Sequence, residues 1–228
     1  MSNFTRLPKR GLATVAIVIS ASAAIAASRT DAAANPTTLA TSSAALPAPP
    51  DNWLKGLTGK HRQFFDSPAP GGGVALNYIL NYYDTLNRDY GVKDAAIDAV
   101  GTFYGSATLF GVNDAMWAKY KLGEILEAND PATGKPATSN PWRTSPNIRG
   151  MPLPQASVES LQRRGATFIM CNNALRFFAG SVAKARGLQT DSVYADLKAN
   201  ILPGVELIPA MVVAIGQAHA AGLSYHRQ

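Results

Sequence analysis

Residues 166–176 read ATFIMCNNALR, and this stretch decides the fold class of the chain. Its first six residues form an apolar run after Gly165, which is typical of a buried β-strand. The residues after Cys171 begin a helical pattern that continues to Gly187, a glycine suited to ending a helix. A buried strand that turns directly into a helix indicates a parallel sheet covered by helices.

The same alternation of strands and helices extends along the chain in both directions. Further strands are predicted at 61–66, 98–104, 205–208 and 223–226, and further helices at 74–90, 113–126, 158–164, 192–202 and 210–221. We therefore predict an α/β fold, a doubly wound, mainly parallel five-stranded sheet with helices on both faces. Such sheets bind ligands at the carboxyl ends of their strands, which directs attention first to Cys171 and Gly105.

The first 34 residues have the features of a secretory signal peptide. Arg6, Lys9 and Arg10 precede residues 11–27, which carry no charge and are followed by small residues that suit a signal peptidase. We predict a signal peptide at 1–34, a Pro/Ala-rich linker at 35–52 and one globular domain at 53–228. Export to the periplasm would use the Sec or twin-arginine route and leave no stable membrane anchor; a retained N-terminal anchor is the alternative.

Composition and charge exclude several classes of protein. The single cysteine among 228 residues excludes internal disulfides, cysteine-rich zinc fingers and a self-contained iron–sulfur site. Loss of residues 1–34 lowers the net charge from +6 to +3, and no basic cluster with aromatic neighbours follows, so no nucleic-acid partner is predicted. His61, His219 and His226 are isolated and fit no zinc spacing, so no metal site is predicted.

Cys171 is the residue most suited to chemistry. The free N–H groups and positive dipole at the start of the following helix favour a thiolate, with Asn172 and Asn173 in its first turn. Arg176, one turn inward, could assist. The alternative is that Cys171 is a small apolar side chain filling the end of the strand.

A second polar segment follows another predicted strand. Gly105 and Ser106 come directly after that strand, and Asn113, Asp114 and Trp117 come at a helix start. These residues could form a small-molecule or anion pocket beside the thiol. The alternative is a turn, a helix cap and a core tryptophan. The irregular stretch 129–154 that follows is long enough to be a lid or a partner surface.

The stretch that begins at Cys171 also resembles a known family. CNNALR, residues 171–176, is similar to the Cys-x-x-Ala-x-Arg stretch of the DsrE-like proteins of the sulfur-relay group. LPGVELIP, residues 202–209, with the helix and short strand after it, resembles the closing segment of that family. The resemblance covers about residues 60–225 and implies a doubly wound α/β fold, a homo-oligomer, and a persulfide carried on the cysteine that matches Cys171.

The resemblance and the residues together lead to a functional expectation. We expect an exported DsrE-like protein that uses Cys171 as a sulfur carrier or thiol-based sulfurtransferase. Sulfur donor and acceptor proteins, or small sulfur compounds, would be its partners, and no organic cofactor would be needed because the thiolate is the reactive group. An oxidising compartment requires such a thiol to be recessed. The alternative is a non-catalytic module of the same fold that binds a small ligand or a partner.

Overall fold

The computed structural model describes residues 52–228, and the predicted signal peptide and nearly all of the predicted linker lie outside the described residues. The described part contains seven strands and eight α-helices. The strands are β1 (His61–Asp66), β2 (Ile97–Phe103), β3 (Asn147–Ile148), β4 (Met151–Pro152), β5 (Thr167–Cys171), β6 (Val205–Ile208) and β7 (Ser224–Arg227). The helices are α1 (Asn52–Lys55), α2 (Val74–Tyr90), α3 (Asp114–Tyr120), α4 (Leu122–Ile125), α5 (Val158–Arg163), α6 (Asn172–Arg186), α7 (Thr190–Ala199) and α8 (Met211–Ala220).

The main sheet has five strands in the order β6-β5-β2-β1-β7, and all of its neighbouring strands are parallel. All five carboxyl ends therefore lie along one edge of the sheet. Helices pack on both faces, and each face has its own cluster of buried side chains. The predicted α/β architecture is confirmed.

The first face of the sheet carries the larger cluster of buried side chains. Helices α2 to α7 all contribute to it, together with the buried rings of Phe103, Trp117, Trp142 and Phe168. The packing is close enough to require a glycine in β2, because a Cβ atom on Gly101 would lie 2.5 Å from the Phe168 ring. Most of the apolar burial that stabilises the fold lies on this face.

The second face is covered only by α1 and α8 among the described elements. Trp53 of α1 and Met211 of α8 pack on the strands there. The outward side of α8 remains apolar, with Val212 77% and Val213 53% exposed. The cluster on this face contains Trp53, Leu57, Phe64, Val100, Ile169, Cys171, Ile208, Met211, Ala214, Ala218 and Leu223.

The predicted elements and the observed ones differ mainly at their ends. The predicted helix over 113–126 is two helices, because Lys121 adopts a left-handed backbone conformation (φ 47°) and breaks it. The helix predicted at 192–202 is observed as α7, which begins two residues earlier and ends at Ala199. Gly91 and Gly187 end α2 and α6 in the left-handed conformation that favours glycine.

The stretch 129–154 contains ordered structure that the sequence did not predict. Strands β3 and β4 form an antiparallel hairpin. Its turn residues, Arg149 and Gly150, both have positive φ angles, as a tight hairpin turn requires. Within residues 52–228, no helix is both long enough and apolar enough to span a membrane.

Candidate functional site

Two helix starts meet at the sulfur of Cys171. The backbone N–H of Ala174, in the first turn of α6, donates to Sγ at 3.4 Å. The backbone N–H of Met211, the first residue of α8, donates to the same atom at 3.4 Å. Cys171 is therefore the N-cap of α6 and also an acceptor for a second helix, so both positive helix ends face one sulfur.

The strand order explains this convergence. Strands β5 and β6 are neighbours, and Cys171 is paired in register with Ile208, the last residue of β6. The helices that follow these two strands must therefore start side by side. A backbone hydrogen bond from Asn173 to Pro209 O (3.3 Å) joins the two starts.

The surroundings of Cys171 are otherwise apolar. The residue is 6% exposed and belongs to the cluster on the second face. The thiol is thus recessed, as expected for a reactive cysteine in an oxidising compartment. It also packs among apolar side chains, as expected for a cysteine that fills the end of the strand. Two backbone N–H groups donate to its sulfur, so Cys171 is also a hydrogen-bond acceptor at the start of two helices.

Arg176 does not occupy the position that the sequence suggested. Its guanidinium carbon lies 4.1 Å from the ring centroid of Tyr194 in α7, which is a cation–π contact. No hydrogen bond from Arg176 to Cys171 is present in the described part of the chain. Arg176 thus stacks on Tyr194 in this structure, and its assistance to the thiol stays a prediction.

Asn172 and Asn173 have different environments. Asn172 Oδ1 accepts a hydrogen bond from the Tyr194 hydroxyl at 2.6 Å, which ties α6 to α7. The Asn173 side chain, two residues after Cys171, is exposed. Of the two asparagines, Asn173 is the more accessible to a ligand.

Gly105 and Ser106 lie at the same edge of the sheet, after β2. Gly105 has a positive φ of 54°, and a Cβ atom there would lie 2.3 Å from Pro68 O, so only glycine fits. Ser106 is exposed, and its hydroxyl donates to Pro68 O at 3.5 Å. Both residues shape the loop at the carboxyl end of the sheet.

Asn113, Asp114 and Trp117 form structural contacts on the other side of the sheet from the sulfur. The Asn113 side chain caps α3 by accepting from the N–H of Met116, and Asp114 pairs with Arg143 at 2.7 Å. Trp117 is fully buried on the first face, and its indole N–H donates to Leu109 O at 3.1 Å. Because Cys171 lies on the second face, the expected pocket combining Trp117 with the thiol is not formed.

Sequence reasoning missed a polar cluster at the ends of β1 and β7. Asp66 is 2% exposed, and its Oδ2 accepts a hydrogen bond from the Tyr225 hydroxyl. Its Oδ1 has no partner among residues 52–228. Burial, together with the Asp66 carboxylate, raises the pKa of both Tyr104 and Tyr225. Ligands of doubly wound sheets bind at the carboxyl ends of the strands, and Asp66 is the last residue of β1 at that edge. The reasoning that selected Cys171 therefore applies to Asp66 as well.

Another cavity lies beside the stretch 129–154, on the side of the first-face aromatic residues. It has a volume of about 420 Å³ and is lined by Phe110, Asn140 and Trp142, among others. Neither Cys171 nor Asp66 lines it. The thiol site and this cavity are therefore two separate candidates.

The described residues 52–228 contain no group of three or more His, Cys, Asp and Glu side chains that could hold a metal ion. His219 stacks on Tyr225, with ring centroids 5.6 Å apart. His226 packs against Tyr78 at 5.2 Å. Both imidazoles are thus engaged in aromatic packing.

Comparisons with known proteins identify no family. No protein-family model matches the sequence, and no curated protein matches it. A solved structure of a protein of unknown function from Methanobacterium thermoautotrophicum is similar over 74% of this chain and 99% of its own, at 17% identity and a TM-score of 0.34. A likeness of this degree carries no functional argument, so the resemblance to DsrE-like proteins stays a prediction.

Proposed function

We propose that this protein is a thiol-based sulfur carrier of the DsrE-like type, in which Cys171 accepts and passes on a sulfur atom. The observation that carries the proposal is the pair of N–H groups, from Ala174 and Met211, that donate to Sγ. Both belong to helix starts, where backbone N–H groups lack partners within the helix and can stabilise an anion. A thiolate or a persulfide anion is the form that such a site would stabilise.

The proposed reaction exchanges one persulfide for another. The Cys171 thiolate attacks the outer sulfur of a donor persulfide RSSH, and a bond forms between Sγ and that sulfur. The sulfur–sulfur bond of the donor breaks, RS⁻ leaves with the bonding electron pair, and the proton stays on the transferred sulfur. Because no net oxidation occurs, the transfer needs neither a redox cofactor nor a second cysteine. Delivery to an acceptor thiolate is the same step in reverse.

The limited exposure of Cys171 agrees with this role. A side chain that is 6% exposed is protected from large oxidants and from pairing with the thiol of another chain. Cys171 is the last residue of β5 and lies at the carboxyl edge of the sheet, where ligands of doubly wound folds bind.

The first experiment is intact-mass analysis after incubation with cysteine persulfide. We expect the wild-type protein to gain one sulfur atom, and Cys171→Ser to gain none. Serine is a suitable control because it is a strongly preferred N-cap and keeps α6 intact. A Cys171→Ser protein that gains sulfur, or a wild-type protein that gains none, would contradict the proposal.

The second experiment tests the N–H groups themselves. Met211→Pro removes the N–H that donates to Sγ at a first-turn position that tolerates proline, whereas Met211→Ala removes the same side chain and keeps the N–H. We expect Met211→Pro to react with iodoacetamide several-fold more slowly than Met211→Ala at the same pH, because less thiolate is present. Equal rates would show that the N–H group does not activate the thiol.

A second candidate function is a non-catalytic module that binds a small ligand. The observation that favours it is the cavity of about 420 Å³, a size typical of ligand sites. A module of this kind requires no sulfur transfer at Cys171. The mass experiment therefore separates the two functions.

Export and self-association stay predictions. Residues 1–34 are outside the described part, and we propose that they direct the chain to the periplasm and are removed there. N-terminal sequencing of the protein from its own compartment tests this. We also propose a homo-oligomer, for which sedimentation analysis is the direct measurement.

A further inference from the structure

The cavity beside the stretch 129–154 has an apolar wall and an acidic rim. Phe110, Leu126 and Trp142 belong to its apolar part. Glu127 and Asp130 are also among its lining residues. No Lys, Arg or His side chain is among the lining residues, so the charge around this cavity is negative.

The walls are held in place by hydrogen bonds from buried Asn140. Its amide nitrogen donates to Phe110 O at 2.6 Å and to Val112 O at 2.8 Å. Its amide oxygen accepts the backbone N–H of Trp142 at 2.9 Å. A cavity whose walls are already ordered loses little conformational entropy when it binds a ligand.

A charged bridge fixes the outer side of the same segment. Arg143 binds Asp114 at 2.7 Å and Glu159 at 2.6 Å, and so joins the segment to α3 and α5. Arg143 does not line the cavity, and its charge is already paired with two carboxylates. It is therefore not placed to neutralise a ligand.

Glu127 is held in an unfavourable backbone conformation. Its φ angle is 52°, in the left-handed region, which costs a residue with a Cβ atom roughly 1–2 kcal/mol. Its side chain is exposed and forms no hydrogen bond or ion pair within the described residues. Residues in such conformations cluster at ligand sites. Glu127 is thus a lining residue whose carboxylate has no hydrogen-bond or ion-pair partner among the described residues.

Asp130 is more constrained. Its carboxylate accepts the N–H of Ala132 at 2.9 Å and the hydroxyl of Thr133 at 3.2 Å, which shapes the turn after β-bridge residue Asn129. These neutral donors leave its negative charge in place. Glu127 is the better contact for a ligand, and Asp130 adds to the negative electrostatic potential.

We propose that this cavity binds a small organic cation, an amine or guanidinium group attached to an apolar body. The apolar wall would contact the body, and the carboxylates of Glu127 and Asp130 would attract the charged group. Anions such as phosphates, carboxylates and polysulfides are disfavoured by the same charges. The site is separate from Cys171, so this inference stands independently of sulfur transfer.

The test is calorimetric titration of the full chain with three compounds of similar shape and different charge. Phenethylamine is cationic, phenethyl alcohol is neutral and phenylacetate is anionic at neutral pH. We expect saturable binding of phenethylamine, weaker binding of the alcohol and none of phenylacetate. Binding of phenylacetate as tight as that of the amine, or no saturable binding of the amine, would overturn the proposal.

Variants then locate the site. Glu127→Gln should weaken phenethylamine binding by roughly twofold to fivefold, the usual effect of a solvent-exposed ion pair. Asp191→Asn removes the same charge from an exposed position in α7, outside the cavity, and should leave the affinity unchanged. Equal effects of these two variants would refute a specific contact with Glu127.

A third variant fills the cavity. Ser139 is an exposed lining residue, and Ser139→Trp should abolish binding by occupying the space. Unchanged affinity in Ser139→Trp would place the amine elsewhere. Cys171→Ser should retain amine binding in full, which makes failure of this inference distinguishable from failure of sulfur transfer.

Discussion

The two faces of the sheet differ in how they are covered. The first face contains most of the buried apolar side chains, and the second face contains Cys171. On the first face, six helices and several buried aromatic rings pack on the strands. On the second face, α8 and the short α1 provide the helical cover, and Cys171 lies between the strands and the start of α8. The second face therefore contributes less apolar packing and contains the one cysteine of the chain.

Both faces also contain buried polar groups. On the first face, buried polar groups such as the indole N–H of Trp117 are bound to backbone carbonyls and hold the packing together. On the second face, Cys171 Sγ receives two N–H donors. Among residues 52–228, buried polar atoms without a partner occur in both regions, and they include Asp66 Oδ1 and the hydroxyl of Tyr83 in the first-face cluster.

The largest expected effect is loss of core volume on the first face. Trp117→Ala should lower the free energy of unfolding by about 3–5 kcal/mol, because the indole is fully buried and leaves a cavity among neighbours held by other helices. Urea denaturation monitored by far-ultraviolet circular dichroism measures this. A loss below about 1 kcal/mol would mean that the first face does not dominate stability.

A smaller effect is expected on the second face at Cys171. Cys171→Ala should cost about 1 kcal/mol because the N–H groups of Ala174 and Met211 lose their acceptor, whereas Cys171→Ser should cost less because serine caps the helix. The comparison of the two variants in the same denaturation assay isolates the cap. If the alanine and serine variants have the same free energy of unfolding, a hydrogen-bond acceptor at position 171 does not stabilise the helix start.

A pH-dependent effect on stability is expected at Asp94. This residue lies just before β2, at the edge of the sheet opposite to Cys171. Hydrogen bonding to Arg164 lowers the pKa of Asp94, and this side chain is about one-third exposed, so solvent screening limits its contribution to less than about 1 kcal/mol. Because the folded pKa is depressed, this stability is present above the ordinary pKa of 3.8 and is lost as the pH falls through the folded value.

Asp94→Asn provides the measurement. The variant should be less stable than wild type at neutral pH, and the difference should shrink as the pH falls below 3.8. Unfolding titrations at several pH values follow the difference. A gap that is independent of pH would assign the loss to packing rather than to the ion pair.

The smallest effect is expected on the outward side of α8. Val212→Ser should change the free energy of unfolding by less than about 0.5 kcal/mol, because the side chain is 77% exposed. A variant that is clearly less stable, with a stability that depends on protein concentration, would show that a second copy of the chain covers this side.

Much of the fold was predictable because local patterns agree with the tertiary structure. The apolar run at 166–171 and the helical periodicity after it meet at Cys171, so the sequence predicts both the strand and the helix start. Asn113 was predicted to lie at a helix start, with a helix cap as one interpretation, and its side chain caps α3. The break at Lys121 was not predicted, because lysine is not a residue type that favours the left-handed backbone conformation observed there.

The site was predictable only in part. Cys171 was found from its place at the end of a strand, whereas the contact between Arg176 and Tyr194 was not foreseen because Tyr194 belongs to another helix. The hydrogen bond from Met211 depends on β6 lying beside β5, and the sequence does not state that order. Asp66 escaped notice because its partner, Tyr225, is distant in the chain.

The sequence by itself determined the alternation of strands and helices, the helix-ending glycines and the position of the one cysteine at the end of a strand. Those features depend on hydrophobic periodicity and backbone preference, which act over a few residues. Only the tertiary structure decided that two helix starts face that sulfur, and that Glu127 and Trp142 share one cavity. These arrangements depend on which distant segments pack together, and that is set by the free energy of the whole fold.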